Sequence, residues 1–153
     1  MITQHIKYKM NHWIIRIGNG ENFKNSKYPF WGLINHWKPH AAKIKENDIL
    51  WFLCNKDTND NKILGMARFT KMLDKRDEVL INIETTNNIE QGWDCNSYDI
   101  ELHYTDLYDT SEQNIKIHIR NQVPVINYYD NTEKIKEDLE KHYNGFKFYA
   151  KTI

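Results

Sequence analysis

The sequence has no excess of charge of either sign. Its 21 Lys and Arg residues balance its 21 Asp and Glu residues, so the formal net charge at pH 7 is zero with histidine neutral. A uniformly basic surface that attracts nucleic acid at long range is therefore excluded, because such a field needs a surplus of positive charge. A nucleic-acid-binding site in this chain would have to combine a local group of basic residues with a pocket.

Cysteine is scarce, and long apolar runs are missing. Cys54 and Cys95 are the only cysteines in 153 residues, and no signal-peptide pattern is present. We therefore expect free thiols in a reducing, intracellular compartment, cytoplasmic or, in a eukaryote, nuclear. No apolar segment approaches the roughly 20 residues that cross a bilayer, so we expect no membrane partner.

Recognisable catalytic and cofactor motifs are also missing. No Gly-x-Ser-x-Gly is present, and neither cysteine lies in a known nucleophile signature. Gly18-Asn-Gly20 lacks the third glycine of a dinucleotide site and the Gly-Lys-Ser/Thr of a phosphate loop. His36 and His40 are four residues apart, but Pro39 interrupts a shared helix face and no further ligand completes a known metal spacing. We expect no catalytic residue, no metal and no cofactor.

Aromatic residues, in contrast, make up 13% of the chain, with five Trp and nine Tyr. Trp31, Trp37 and Trp93 lie at boundaries between predicted elements, with several lysines close in sequence. Such rings either complete the core of a small fold or form a stacking platform beside a phosphate track. The residue pattern leaves both roles open, and for His36 and Trp37 it does not distinguish a pocket role from a structural one.

The hydrophobic pattern predicts one α+β domain over residues 1–153, with a short arm at residues 1–10. The fold class is a curled mixed β-sheet or small barrel of five to seven strands with two or three helices. Predicted strands cover residues 12–17, 49–54, 62–73, 79–83, 98–104, 115–119 and 146–149. A short helix is predicted at residues 38–44, and an amphipathic helix carries Ile135, Leu139 and Tyr143 and ends at Asn144-Gly145. Residues 49–54 are predicted to be buried on both faces.

Five motifs in order resemble the EVE domain of the PUA-like superfamily. They are Trp13-Ile-Ile-Arg-Ile, Asn19-Gly-Glu-Asn-Phe, Phe30-Trp-Gly-Leu, Ile44-Lys-Glu-Asn-Asp-Ile-Leu-Trp-Phe and Ile63-Leu-Gly-Met-Ala-Arg-Phe. Their order and spacing agree with the family over residues 13–69. Two positions depart from it: Asn47 stands where the family usually has Gly, and Arg68 where it usually has an acidic residue. The second departure could alter an ion pair or the pocket rim.

The chain is also similar, more weakly, to YTH domains, which belong to the same superfamily and read N6-methyladenine with an aromatic cage. Trp31 and Trp93 match the two cage tryptophans by their places in the chain, and Asp99 lies in the strand after Trp93. Asn22 matches the asparagine that bonds the base edge. The resemblance implies that a base would lie between Trp31 and Trp93 as two walls of a sandwich.

These resemblances imply a non-catalytic reader of DNA or RNA that carries methylated or hydroxymethylated cytosine, or N6-methyladenine. The expected base-binding residues are Trp31, Trp93, Asn22, Asn19, Gly18, Gly32 and Asn35. The expected phosphate-binding residues are Arg16, Lys24, Lys27 and Lys38. Two alternatives remain: an RNA-processing or base-modifying enzyme on the same fold, with His36 or Asp94 as titratable candidates, and a module whose exposed tryptophans bind a protein.

Overall fold

Six strands and four α-helices make up the part of the chain that the computed structural model describes, residues 10–54, 61–76, 86–94, 97–117, 125–127 and 133–149. The strands are β1 (His12–Arg16), β2 (Phe30–Leu33), β3 (Ile49–Cys54), β4 (Lys62–Asp74), β5 (Ile100–Asp109) and β6 (Val125–Asn127). The helices are α1 (Glu21–Asn25), α2 (Lys38–Ala41), α3 (Asn88–Gln91) and α4 (Glu133–Tyr149), with 3-10 turns at Asn35–Trp37 and Ser111–Gln113.

The strands form one mixed sheet in the order β2-β5-β4-β3-β1-β6. The β1–β3 pair is parallel, and every other pair of neighbours is antiparallel. This curled α+β sheet confirms the predicted fold class. The described residues contain four α-helices where two or three were predicted, because α1 and α3 are single turns of five and four residues, too short for a helical period to show.

Strand β3 lies at the centre of the sheet and separates two hydrophobic clusters. Leu50, Phe52 and Cys54 belong to one cluster, and Ile49, Trp51 and Leu53 belong to the other. Alternate side chains of a strand point to opposite faces, so a continuous apolar run is what a strand covered on both faces requires. All six residues of β3 are buried, which confirms the prediction for this segment.

The turn before β3 contains Asn47, one of the two positions at which the sequence departs from the EVE pattern. Asn47 has a φ of 76°, a left-handed conformation that glycine adopts most easily and that asparagine tolerates. The next residue, Asp48, is fully buried and accepts hydrogen bonds from the Trp13 indole (2.9 Å) and from the backbone N–H groups of Asn11 (3.1 Å) and Lys45 (2.9 Å). Asn47 therefore fits the left-handed position of the turn that places the Asp48 carboxylate beside these donors.

Gly65 is a point of close approach between β4 and α1. A Cβ atom added at this position would lie 2.9 Å from Cζ of Phe23. The β3–β4 register shifts between Phe52 and Leu53, which places a bulge beside the glycine. The ring of Phe23, from α1, thereby packs onto the sheet.

Two sequence predictions are wrong or incomplete near the C-terminus. Residues 146–149 belong to α4 and not to a strand, since the apolar period of residues 135, 139 and 143 continues to position 146 and one glycine costs a helix only about 1 kcal/mol. Within 115–117, Lys116 forms an isolated bridge to Lys62 where a strand was predicted. The predicted strand at 79–83, residues 118–119 and residues 1–9 of the arm lie outside the described residues.

In the described chain, α4 and the shorter helices are too polar or too short to span a bilayer.

Candidate functional site

A pocket of about 510 Å³ opens beside the end of β1. Residues 16–19, 21 and 22 form one side of it, residues 31–34 and Trp37 form another, and Asp94 and Tyr98 approach from the segment between α3 and β5. This volume lies within the range of about 300–1,000 Å³ that small-molecule sites occupy. The lining combines aromatic rings, side-chain amides and charged groups.

Five of the seven residues predicted to bind a base line this pocket: Gly18, Asn19, Asn22, Trp31 and Gly32. Trp93 and Asn35 do not line it. Asn35 is exposed and donates a 3.5 Å hydrogen bond to Asp99, so its amide is directed toward the start of β5. Base binding itself stays a prediction for the five residues that the fold brings together.

The two predicted walls pack against each other. The ring centroids of Trp31 and Trp93 are 5.2 Å apart, and the ring planes meet at 58°. Stacked aromatic layers are about 3.4 Å apart, so a base held between two rings needs about 7 Å and nearly parallel planes. The two rings therefore do not form a sandwich in this structure. Trp93 is 4% exposed and packs behind Trp31, and Trp37, half-buried, supplies the second large ring of the lining.

Gly32 makes the packing of Trp93 possible. A Cβ atom at position 32 would lie 2.5 Å from Cζ3 of Trp93 and 2.7 Å from Cβ of Tyr98. Trp93 also makes edge contacts with Phe30 (5.4 Å between centroids) and Tyr98 (5.6 Å). The lone tryptophan of this polar segment is thus a core residue that supports β2 from behind.

Trp93 also anchors α1 through a hydrogen-bond relay. Its Nε1 donates to Oγ of Ser26 (2.9 Å), and that hydroxyl donates to the carbonyl of Asn22 (2.8 Å). Gly92 has a φ of 105°, and a Cβ there would collide with the carbonyl oxygen of Asn25. The segment after α3 therefore packs closely against α1 and fixes the position of Asn22 at the pocket.

Gln91 is a positioning residue that sequence reasoning missed. It is fully buried, and its Oε1 accepts from the N–H groups of Lys27 (3.1 Å) and Tyr28 (2.7 Å). Its Nε2 donates to the carbonyls of Tyr28 (2.8 Å) and Phe30 (2.9 Å). Four bonds from one amide fix the chain that enters β2 and Trp31. A polar residue in an aperiodic polar segment carries no sequence signal of such a role.

Several polar groups of the pocket are available to a ligand. Oδ1 of Asn19 accepts a hydrogen bond from the N–H of Glu21 (3.0 Å), and the side-chain amide nitrogen of Asn19 can donate to a ligand. Within the described residues, the side chains of Asn22, Glu21 and Asp94 make no hydrogen bond or ion pair. The lining therefore offers amide donors and acceptors together with two carboxylates, which only accept when ionised.

The predicted phosphate-binding residues separate into three groups. Arg16 lines the pocket, half-buried. Lys24 and Lys27 are exposed but do not line it. Nζ of Lys38 lies 2.9 Å from Oδ2 of Asp74 and forms an ion pair with this carboxylate.

Asp74, the partner of Lys38, also binds Arg76 at 2.7 Å. The hydrogen bond from Arg76, with a further contribution from Lys38, holds the pKa of Asp74 well below its usual range despite partial desolvation. The Asp74 carboxylate therefore stays ionised throughout the neutral pH range and remains a partner for Lys38.

The histidines next to the pocket pack around Trp37. His36 and His40 make edge contacts with this ring at 4.8 and 5.4 Å between centroids, and neither histidine lines the pocket. No group of three or more His, Cys, Asp or Glu residues in the described chain could hold a metal ion. Of the two titratable candidates for an enzymatic role, Asp94 lies at the pocket and His36 lies outside its lining.

The second departure from the EVE pattern lies away from the pocket. Arg68 pairs with Asp106 at 3.5 Å, and both line a smaller cavity of about 170 Å³ together with Tyr143 of α4. Arg68 thus takes part in a local ion pair and does not line the larger pocket.

No protein-family model and no curated protein sequence matches the chain. Among solved structures, the chain is similar to a hypothetical protein from Leishmania major, with 12% sequence identity and a TM-score of 0.43. The alignment covers 88% of this chain and 98% of that protein.

Proposed function

We propose that the protein is a non-catalytic reader that binds a modified base of DNA or RNA in the pocket beside β1. The observation that carries the proposal is the lining itself, in which the rings of Trp31 and Trp37 face the same space as the amides of Asn19 and Asn22. A base extruded from its strand needs an aromatic face to stack on and hydrogen-bonding groups along its edge.

The polar groups favour bases that carry an exocyclic amino group. Carboxylates accept hydrogen bonds from the N4 amino group of cytosine, and an asparagine amide can pair with adenine through its N6 and N7. Glu21 and Asp94 supply such acceptors, and Asn22 supplies both a donor and an acceptor. Methylated cytosine, hydroxymethylated cytosine and N6-methyladenine all retain an N–H at this position.

The contribution of phosphate contacts is expected to be small. The chain has no net charge, Lys38 is paired with Asp74, and Arg16 is the basic residue at the pocket. Each phosphate neutralised adds roughly one unit to the slope of log affinity against log salt. We therefore expect a shallow salt dependence, with most of the preference for one base arising inside the pocket.

Fluorescence anisotropy with matched oligonucleotides tests the proposal. DNA and RNA strands would carry cytosine, 5-methylcytosine, 5-hydroxymethylcytosine, 3-methylcytosine, adenine or N6-methyladenine at one position. Trp31→Ala is expected to weaken binding about 5- to 150-fold, because stacking on one ring contributes roughly 1–3 kcal/mol. Tyr28→Ala is the matched control, since Tyr28 is 48% exposed and lies outside the pocket lining.

Two results would contradict the reader proposal. One is equal binding of all modified and unmodified strands, and the other is full affinity in Trp31→Ala. Mass spectrometry of the nucleosides after incubation separates reading from catalysis, because a base-modifying enzyme that uses Asp94 would change the mass or amount of the modified base.

A further inference from the structure

The charge of the pocket lining is not explained by the reading of a neutral base. Glu21 and Asp94 are exposed carboxylates from two separate elements, the first turn of α1 and the segment after α3. In the described chain neither side chain has a hydrogen-bonding or ionic partner. Arg16 is the one basic residue among the lining residues, so carboxylates outnumber basic groups two to one.

A neutral base makes poor use of two carboxylates. The N–H groups of an exocyclic amino group can bond to them, but a neutral base brings no positive charge to offset their two negative charges. Removing water from two uncompensated carboxylates is unfavourable. The same two carboxylates would stabilise a base that carries a positive charge.

The aromatic lining favours the same kind of ligand. A cation within about 6 Å of a ring centroid is attracted to the negative face of the ring, and tryptophan is the strongest such partner. Trp31 and Trp37 line the pocket together with the two carboxylates. A pocket lined by both aromatic rings and carboxylates is suited to a delocalised organic cation.

We infer that the pocket selects a cationic base, a cytosine or adenine methylated on a ring nitrogen, over neutral bases methylated on carbon or on the exocyclic nitrogen. Methylation of the ring nitrogen removes its acceptor lone pair and leaves a positive charge that spreads over the ring and the amino group at neutral pH. The stacking face and the hydrogen-bonding edge then both carry the charge that Trp31, Glu21 and Asp94 favour. This inference rests on the proposed base-reading function.

Free nucleosides are the suitable probes, because they carry no phosphate and so report the pocket alone. Calorimetric titration of the whole protein with 3-methylcytidine, 5-methylcytidine and cytidine is expected to show 3-methylcytidine binding about 5- to 30-fold more tightly than 5-methylcytidine. Glu21→Gln combined with Asp94→Asn should reduce this preference to less than about threefold. Glu90→Gln is the matched control: Glu90 is exposed on α3, outside the pocket, and the variant should keep the full preference.

The outcomes separate this inference from the function on which it rests. Equal or tighter binding of 5-methylcytidine would overturn the inference while leaving the reader intact, and so would an unchanged preference in the double variant. If no modified nucleoside or oligonucleotide binds, or if Trp31→Ala changes no affinity, the base-reading function fails as well. Tighter binding of a trimethyllysine peptide than of 3-methylcytidine would show that the pocket recognises cations and not bases, which also overturns the inference.

Discussion

Lowering the pH from 7 to 4 should destabilise the fold through one buried histidine. His12 is 3% exposed at the start of β1, and its Nδ1 accepts a 2.9 Å hydrogen bond from the Trp51 indole. The ring also stacks on Trp51 at 6.0 Å and meets the edge of Tyr143 at 5.6 Å. Because Nδ1 is an acceptor, the neutral imidazole with its proton on Nε2 is the form that fits.

Burial lowers the pKa of His12 from 6.5 to about 4, although the charge of Asp48 acts in the opposite direction. The folded protein therefore binds a proton less readily than the unfolded chain. Stability is full above pH 6.5, falls as the unfolded chain begins to take up the proton, and is lost progressively down to about pH 4. A difference of about 2.5 pKa units corresponds to roughly 3 kcal/mol at 1.36 kcal/mol per unit, which is a large part of the stability of a typical domain.

Urea denaturation followed by circular dichroism measures this loss at pH 7, 6, 5 and 4. His12→Gln keeps a side-chain oxygen that can accept from the Trp51 indole but does not titrate, so its free energy of unfolding should be nearly constant over this window. His142, whose pKa burial also lowers, contributes in the same direction, and His142→Gln measures its share. The carboxylates Asp74 and Asp109 have lowered pKa values, so their contributions are lost only below about pH 4.

Parallel pH profiles for the wild type and His12→Gln between pH 6.5 and 4 would refute this account. Such a result would mean that His12 is charged in the folded protein or that its desolvation is relieved by motion of the neighbouring helix α4. The expected pattern is a constant difference in unfolding free energy above pH 6.5 and a change in that difference as the pH falls from 6.5 to 4.

Three further substitutions test how the pocket and its supports are built. Gln91→Ala should cost about 2–4 kcal/mol of unfolding free energy in thermal or chemical denaturation, because it removes four hydrogen bonds to the chain before β2, one of them to the buried Phe30 carbonyl; a cost below about 1 kcal/mol would mean that water replaces the side chain. Gly32→Ala should cost about 1–3 kcal/mol and shift tryptophan fluorescence as Trp93 is displaced, and an unchanged spectrum would contradict the close contact. Asn47→Ala should cost about 1 kcal/mol by the same denaturation measurement while Asn47→Gly costs only a few tenths, so equal losses would refute the argument from its positive φ.

The sheet was largely predictable from sequence because its central strand is nearly continuous in apolar residues. The side chains of such a strand are all buried only when other elements pack on both faces of the sheet. Strand β3 is packed in this way, with one hydrophobic cluster on each face. The extent of α4 was less predictable. Asn144-Gly145 is a common helix end, yet the apolar period extends past it, and packing of the helix outweighs the small cost of one glycine.

The site was predictable as a set of segments but not as an arrangement of rings. Residues 18–22 run into the start of α1 and residues 31–32 follow it in β2, and both segments contribute to the pocket lining although three strands separate β1 from β2 in the sheet. The sequence does not show whether Trp93 faces a ligand or the core. In the structure, the absence of a side chain at Gly32 leaves the space in which the Trp93 ring packs. The pairing of Lys38 with Asp74, 36 residues away, has no sequence signal either.

The position of Trp93 links the stability of the fold to the shape of the pocket. Its ring fills the space above Gly32 and supports Trp31 from behind, and its Nε1 reaches Ser26 in the relay that ends at the Asn22 carbonyl. Trp31 and the residue Asn22, both at the pocket, therefore share one support. A ligand that moved Trp31 by even 1 Å would press on that support, and because close-packed interiors resist such compression, the pocket should bind in the shape that it already has.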